Sequence, residues 1–143
     1  MDTKMPRVQT LLLICTTLIF AFACENYDDL MPHLRNHAAI LEKTIGSIRK
    51  SGSVTHVSST LRTYNGSMKE LLNEYREVKM KHPGLKDLFI NPPASLRDEV
   101  ARIGELNTAL RHSLLLTADH GSDTELRIQL AETISLLDAF SRE

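Results

Sequence analysis

Hydrophobic positions recur at steps of three and four along most of the chain, which is the period of one face of an α-helix. Between Asp28 and Lys50 the series is Leu30, Leu34, Ala38, Leu41, Ile45 and Ile48, and Ser51-Gly52-Ser53 closes it. Val54, Val57, Leu61, Tyr64, Met68, Leu71, Tyr75 and Val78 follow without a slip. Asn65-Gly66-Ser67 lies inside that series and would ordinarily mark a turn. The phase is unchanged across Gly66, so the pattern predicts one long helix with a tolerated glycine, at a local cost of about 1 kcal/mol relative to alanine. His82-Pro83-Gly84 stops it, because proline lacks an amide hydrogen and biases its predecessor away from helix. A connection follows, with room for one short turn at Leu85 to Phe89, and Asn91-Pro92-Pro93 closes it.

A third helix opens at Ser95 with Asp98 and Glu99 in its first turn, where the helix dipole favours negative charge. Its stripe is Leu96, Val100, Ile103, Leu110 and Leu114, with Asn107 in the stripe and Leu106 beside it. His120-Gly121 supplies the stop, Ser122-Asp123-Thr124-Glu125 has capping-box spacing, and Leu126, Leu130, Ile134, Leu137 and Phe140 form a fourth face. The predicted helices are thus 29–50, 54–81, 95–118 and 123–141, with no strand pattern of convincing length. Four amphipathic helices joined by short connections bury their stripes as an all-α, antiparallel up-and-down four-helix bundle over residues 30–143.

The segment ahead of the bundle has a different character. Lys4 and Arg7 precede Val8 to Ala23, a run without charge that ends at Cys24, Glu25 and Asn26. The run is shorter than the roughly 20 apolar residues a spanning helix needs and is diluted by Thr10, Thr16 and Thr17, so it reads as a cleaved signal peptide over 1–23. Ala21 and Ala23 spell an A-x-A cleavage pattern. Cys15 falls inside the discarded run, which leaves Cys24 with no intramolecular partner and excludes a disulfide scaffold.

Phe20-Ala21-Phe22-Ala23-Cys24 resembles the lipobox of bacterial lipoproteins. The resemblance implies an acylated Cys24 at a new N-terminus, residues 24–29 as a lipidated tether, and a protein exported to the cell envelope and held on a membrane facing periplasm or cell surface. Plain secretion and an uncleaved anchor are the alternatives. By the enterobacterial sorting rule, Glu25 after the cysteine points to the outer membrane.

The bundle also resembles the cytochrome b562 family, periplasmic four-helix bundles that hold haem between an N-terminal methionine and a C-terminal histidine. Met31, Leu34 and the Leu41-Glu42-Lys43 run carry the likeness at the start, and Gly121 with Ala139-Phe140 carries it at the end. The resemblance implies Met31 as a haem ligand. Ser141 stands where the axial histidine would follow, so haem would require another imidazole.

Composition narrows the functional classes. The 143 residues carry 17 Lys and Arg against 18 Asp and Glu, a formal charge of -1, and loss of Lys4, Arg7 and Asp2 with the signal peptide leaves -2. Such a balance gives no field to hold a polyanion, and nucleic acid is excluded as a bulk electrostatic partner. His33 and His37 lie four apart, the spacing by which two imidazoles on one helix face chelate a metal, but no third ligand follows at fixed spacing. They read as surface or partly buried histidines before they read as a metal site. His112 and His120 lack a recognisable carboxylate partner, and His120 suits the end of a helix. Lys69-Glu70, Glu74, Arg76-Glu77, Lys79 and Lys81 interleave signs as a solvated face does. No phosphate-cradling loop, nucleophile elbow or zinc-protease helix occurs in the sequence. The reading is a non-enzymatic, lipid-anchored envelope protein that acts through contacts with an unidentified protein partner and needs no cofactor. The alternative is a haem-binding electron-transfer bundle with altered ligation.

Overall fold

The computed structural model of the chain describes residues 26–118 and 123–142. The signal segment, Cys24, and the His120-Gly121-Ser122 stop lie outside the described residues. Among those described, secondary structure is entirely helical: α1 (Met31–Lys50), α2 (Val54–Lys81), a 3-10 turn (Ala94–Leu96), α3 (Arg97–Ala118) and α4 (Thr124–Phe140).

The helix ends follow from local chemistry. Pro32 occupies the first turn of α1, where a missing amide hydrogen is tolerated, and Arg49 and Lys50 close it against the negative end of the dipole. The Ser53 hydroxyl caps α2 by accepting from the His56 amide at 3.2 Å. α2 then runs uninterrupted through Gly66 and ends at Lys81, ahead of Pro83. The third helix is entered through the 3-10 turn rather than directly at Ser95, with the Leu96 amide donating to the Pro93 carbonyl at 2.9 Å. α4 is capped by Asp123, which accepts from the Leu126 amide at 2.9 Å. That is one residue later than the predicted capping box, and a carboxylate there both satisfies the amide and complements the positive end of the helix.

Four helices pack against one another. α1 lies against both α2 and α3, α2 lies against α4, and α3 touches α4 only sparingly. α2 and α3, although successive in the chain, are not a packed pair, so residues 82–96 carry the chain across one end of the bundle. That connection is itself anchored, with Leu85 and Leu88 buried. The chain reverses at Asp87, whose φ of 53° is tolerated best by Gly, Asn or Asp, and its carbonyl accepts from the Ile90 and Asn91 amides at 2.9 and 2.8 Å.

The stripes of α1, α2 and α3 enter the core as their spacing predicts, with Val54 and Leu106 at its edge. α4 does not. Gln129, Thr133 and Leu136 are buried there with Leu126, Leu137 and Phe140, while Leu130 is half-buried and Ile134 exposed. At 100° per residue the buried face is turned by roughly 50° from the aliphatic one. Asn65 on α2 supplies the reason. It is 2% exposed, its amide nitrogen donates to the Gln129 carbonyl and side-chain oxygen at 3.2 and 3.0 Å, and its oxygen accepts from the Thr133 hydroxyl at 2.8 Å. Two lattices of preference compete on α4, and the buried amide wins because leaving it unpartnered costs about 1–3 kcal/mol on top of the bonds lost.

Neighbouring substitutions on α2 are therefore expected to act in opposite directions. A Cβ at Gly66 would meet nothing within 4 Å, so Gly66→Ala should raise stability by about 0.5–1 kcal/mol. Asn65→Ala should lower it by about 2–3 kcal/mol, since it removes the bonds to Gln129 and Thr133 and leaves the buried Gln129 side-chain oxygen without its donor. Urea unfolding of the two variants at pH 7 measures both.

Candidate functional site

Two features meet at the end of the molecule spanned by the 82–96 connection. The first is an aromatic box around His37, inside α1. Its imidazole is fully buried, 4.5 Å from the Phe140 ring of α4 and about 6 Å from Tyr75 of α2 and Phe89 of the connection. Tyr75, Phe89 and Phe140 meet each other edge to face at 5.5–6.4 Å, the arrangement that ring quadrupoles favour. Neither nitrogen of His37 has a hydrogen-bond partner, and the Tyr75 hydroxyl is likewise buried without one. Burial in this apolar setting holds the imidazole far below its ordinary 6.5, down to about 3, and pushes the Tyr75 phenol above its usual range. His37 is thus neutral at any physiological pH.

The second feature is a furrow left where α3 and α4 fail to close. One part, of about 220 Å³, is lined by Leu114, Leu115, Leu130 and Ile134 with Arg111 at its edge. The rotation of α4 is what puts Leu130 and Ile134 there. Leu115 is 71% exposed and Leu116 67%, an unusual surface for a helix of an otherwise well-segregated bundle. Arg111 bridges the furrow to Asp138 at 2.6 Å. Beyond this bridge the furrow opens into a cleft of about 330 Å³ walled by Phe89, Ile90, Val100 and Phe140, with Asn107, Thr108 and Ser141 among its polar atoms. The Asn107 side-chain oxygen is buried and unpartnered. Phe89 thus stands between the cleft and His37, with the buried Phe140 behind the cleft wall.

The residues singled out in the sequence are dispersed among these features. Met31 packs half-buried against the core at the start of α1. His33 and His37 both lie about 6 Å from the Tyr75 ring, but His33 stands toward the surface, where its Nδ1 pairs with Glu74 at 3.0 Å. No group of three His, Cys, Asp or Glu side chains with metal-binding geometry occurs among the described residues. His112 is exposed on α3, and Ser141 follows α4 with its hydroxyl donating to the Leu137 carbonyl at 2.9 Å. Cys24 and His120 lie outside the described residues. The furrow itself had no sequence motif. Its one signal was Asn65, a polar residue with helical phase on both sides, whose need for a buried partner sets the rotation of α4.

A linked protonation is expected to expose the cost of burying His37. The unfolded chain takes up a proton near pH 6.5 that the folded chain refuses until about pH 3, so stability is full above 6.5 and falls as the pH drops toward 3. By pH 5 this single group should remove about 2 kcal/mol. His37→Leu should abolish that share of the slope, read as the difference between urea unfolding free energies at pH 7 and pH 5 for variant and parent. In comparisons with protein-family models, with curated proteins and with solved structures, no match to the chain is found.

Proposed function

We propose that the chain is a non-enzymatic module of the bacterial cell envelope, tethered to a membrane through acylated Cys24 and acting by docking an amphipathic helix of a partner protein into the furrow between α3 and α4. The observation that carries this reading is the furrow's aliphatic lining: Leu114, Leu115, Leu130 and Ile134 stand between two helices that barely touch. A groove between two helices accepts the apolar i, i+3, i+4, i+7 face of a third. Its rim favours an acidic partner, because the exposed Arg127 stands one turn before Leu130.

The anchoring half rests on sequence. Cys24 follows a lipobox-like segment, Glu25 favours the outer membrane, and more than one acyl chain on a cysteine gives stable membrane attachment at about 0.8 kcal/mol per buried methylene. None of the described helices is long and apolar enough to cross a membrane, so an attachment through the bundle itself has no support. An up-and-down course of the helices is part of the proposal. Its support lies in the partners that the side chains choose: Asp29 with His82, His33 with Glu74 and Ser47 with His56 run opposite ways along α1 and α2. Arg62 with Glu125, Asn65 with Gln129 and Lys69 with Glu132 run the same way along α2 and α4.

Two measurements test the proposal. Cys24→Ala should lose acyl labelling and move from the membrane fraction to the soluble one; an unlabelled parent would end the lipoprotein reading. Photo-crosslinking residues at positions 115 and 134 should capture one helical segment of a partner, with the same residue at exposed Glu70 on α2 as the negative control. Substitution of Ile134 by Glu should abolish the crosslink at 115. Crosslinks only to a second copy of the chain, or equal capture at 70, would overturn helix docking.

A further inference from the structure

The cleft beyond the Arg111 bridge has a chemistry distinct from that of the aliphatic groove, and the inference drawn from it does not depend on helix docking. We propose that it binds a small aromatic carboxylate of one or two rings. Five observations point to this class. The accessible walls at one end are the half-buried Phe89 and the exposed Ile90, backed by the buried Phe140 and Val100, and Phe89 offers an aromatic contact to a flat ring. At about 330 Å³ the space sits at the small end of ligand pockets, enough for a bicyclic molecule and too small for a large cofactor.

At the other end stands the Arg111 guanidinium, whose present partner Asp138 is half exposed. An exposed ion pair is worth only about 0–1 kcal/mol, so a ligand carboxylate held partly out of water can replace Asp138 at little cost. Asn107 lies between the two ends with a side-chain oxygen that no protein group satisfies. A modest rotation of the amide offers it to a hydroxyl or ring N–H on the ligand, which removes the penalty of the orphaned acceptor. Gly104 forms part of the floor, and a Cβ there would meet nothing within 4 Å. The glycine is not needed for backbone shape, since its helix would accept any residue. A longer side chain at this position would project into the open space of the cleft.

The test uses the full chain with 2-naphthoate as probe and 2-naphthamide as its neutral counterpart, followed through the backbone amide shifts of Gly104, Asn107 and Phe140. Saturable shifts confined to these residues and their cleft neighbours are expected for the carboxylate. Gly104→Leu, on an exposed helical position where it adds helix propensity, should abolish them while the variant stays folded by circular dichroism. Arg111→Gln should weaken 2-naphthoate about tenfold and leave 2-naphthamide unchanged, the signature of a charge-assisted contact. Leu115→Glu, outside the cleft, should change neither. Unsaturable or scattered shifts, undiminished binding to Gly104→Leu, or equal weakening of both probes by Arg111→Gln would each overturn the proposal.

Discussion

Asn65 anchors α4 to α2 with a buried amide that has four polar contacts on the facing helix, one of them a 3.4 Å contact to the Glu132 carboxylate. Its nitrogen reaches the Gln129 backbone and side chain, and its oxygen takes the Thr133 hydroxyl. Arg62 with Glu125 and Lys69 with Glu132 flank this contact one turn to either side, so the register of the two helices is pinned at three successive levels. The flanking pairs are exposed and contribute little free energy; they fix orientation. The buried amide contributes the discrimination, because any other rotation of α4 strands it. Burying Leu130 and Ile134 instead would gain about 1.5–3 kcal/mol each but would give up Leu136 and strand the buried Asn65 amide.

Everything unusual about the α3 side of the molecule follows from that rotation. With its aliphatic edge turned aside, α4 cannot seat Leu115 of α3, and the two helices stay apart. Arg111 and Asp138 bridge the gap and divide it into an aliphatic groove and a polar-floored cleft. A bundle optimised only for stability would close this gap with two complementary stripes. This one buries polar residues on α4 and exposes leucines on α3, a pairing of choices that makes sense when the exposed surface has a use.

The helices themselves were legible because three of the four stripes are unambiguous and each break is marked by Gly, Pro or Ser with a plain physical effect. Gly66 is instructive: local turn chemistry pointed one way and the unbroken phase of Tyr64, Met68 and Leu71 the other, and the phase prevailed since those three side chains are buried. The rotation of α4 was not legible. Leu126, Leu130, Ile134, Leu137 and Phe140 form a valid apolar face in sequence, and only knowledge that Asn65 faces α4 selects the alternative. His33 and His37 show the same limit. Four-residue spacing places them near one another, but α1 tilts one toward Glu74 at the surface and the other into a box of rings, a distinction of environment that spacing alone does not encode.

The chain's passage from α2 to α3 links the aromatic box to the cleft. Because these helices are not neighbours, residues 82–96 must cross the end of the bundle, and the reversal at Asp87 delivers Phe89 over the open ends of α1 and α4. Phe89 then stands half-buried between His37 and the cleft, with the buried Phe140 ring behind it against His37. A neutral, unpartnered imidazole is a poor choice for sealing a core, since an aliphatic side chain of similar size would fill the space without two stranded nitrogens. Its position directly behind the two rings that wall the cleft means that any ligand shifting Phe89 or Phe140 also changes the surroundings of His37. Among the described residues, buried side-chain atoms without a partner occur on Ser58 and Tyr64 as well, but those of His37 and Tyr75 lie against the Phe89 and Phe140 rings and that of Asn107 lies at the neighbouring cleft.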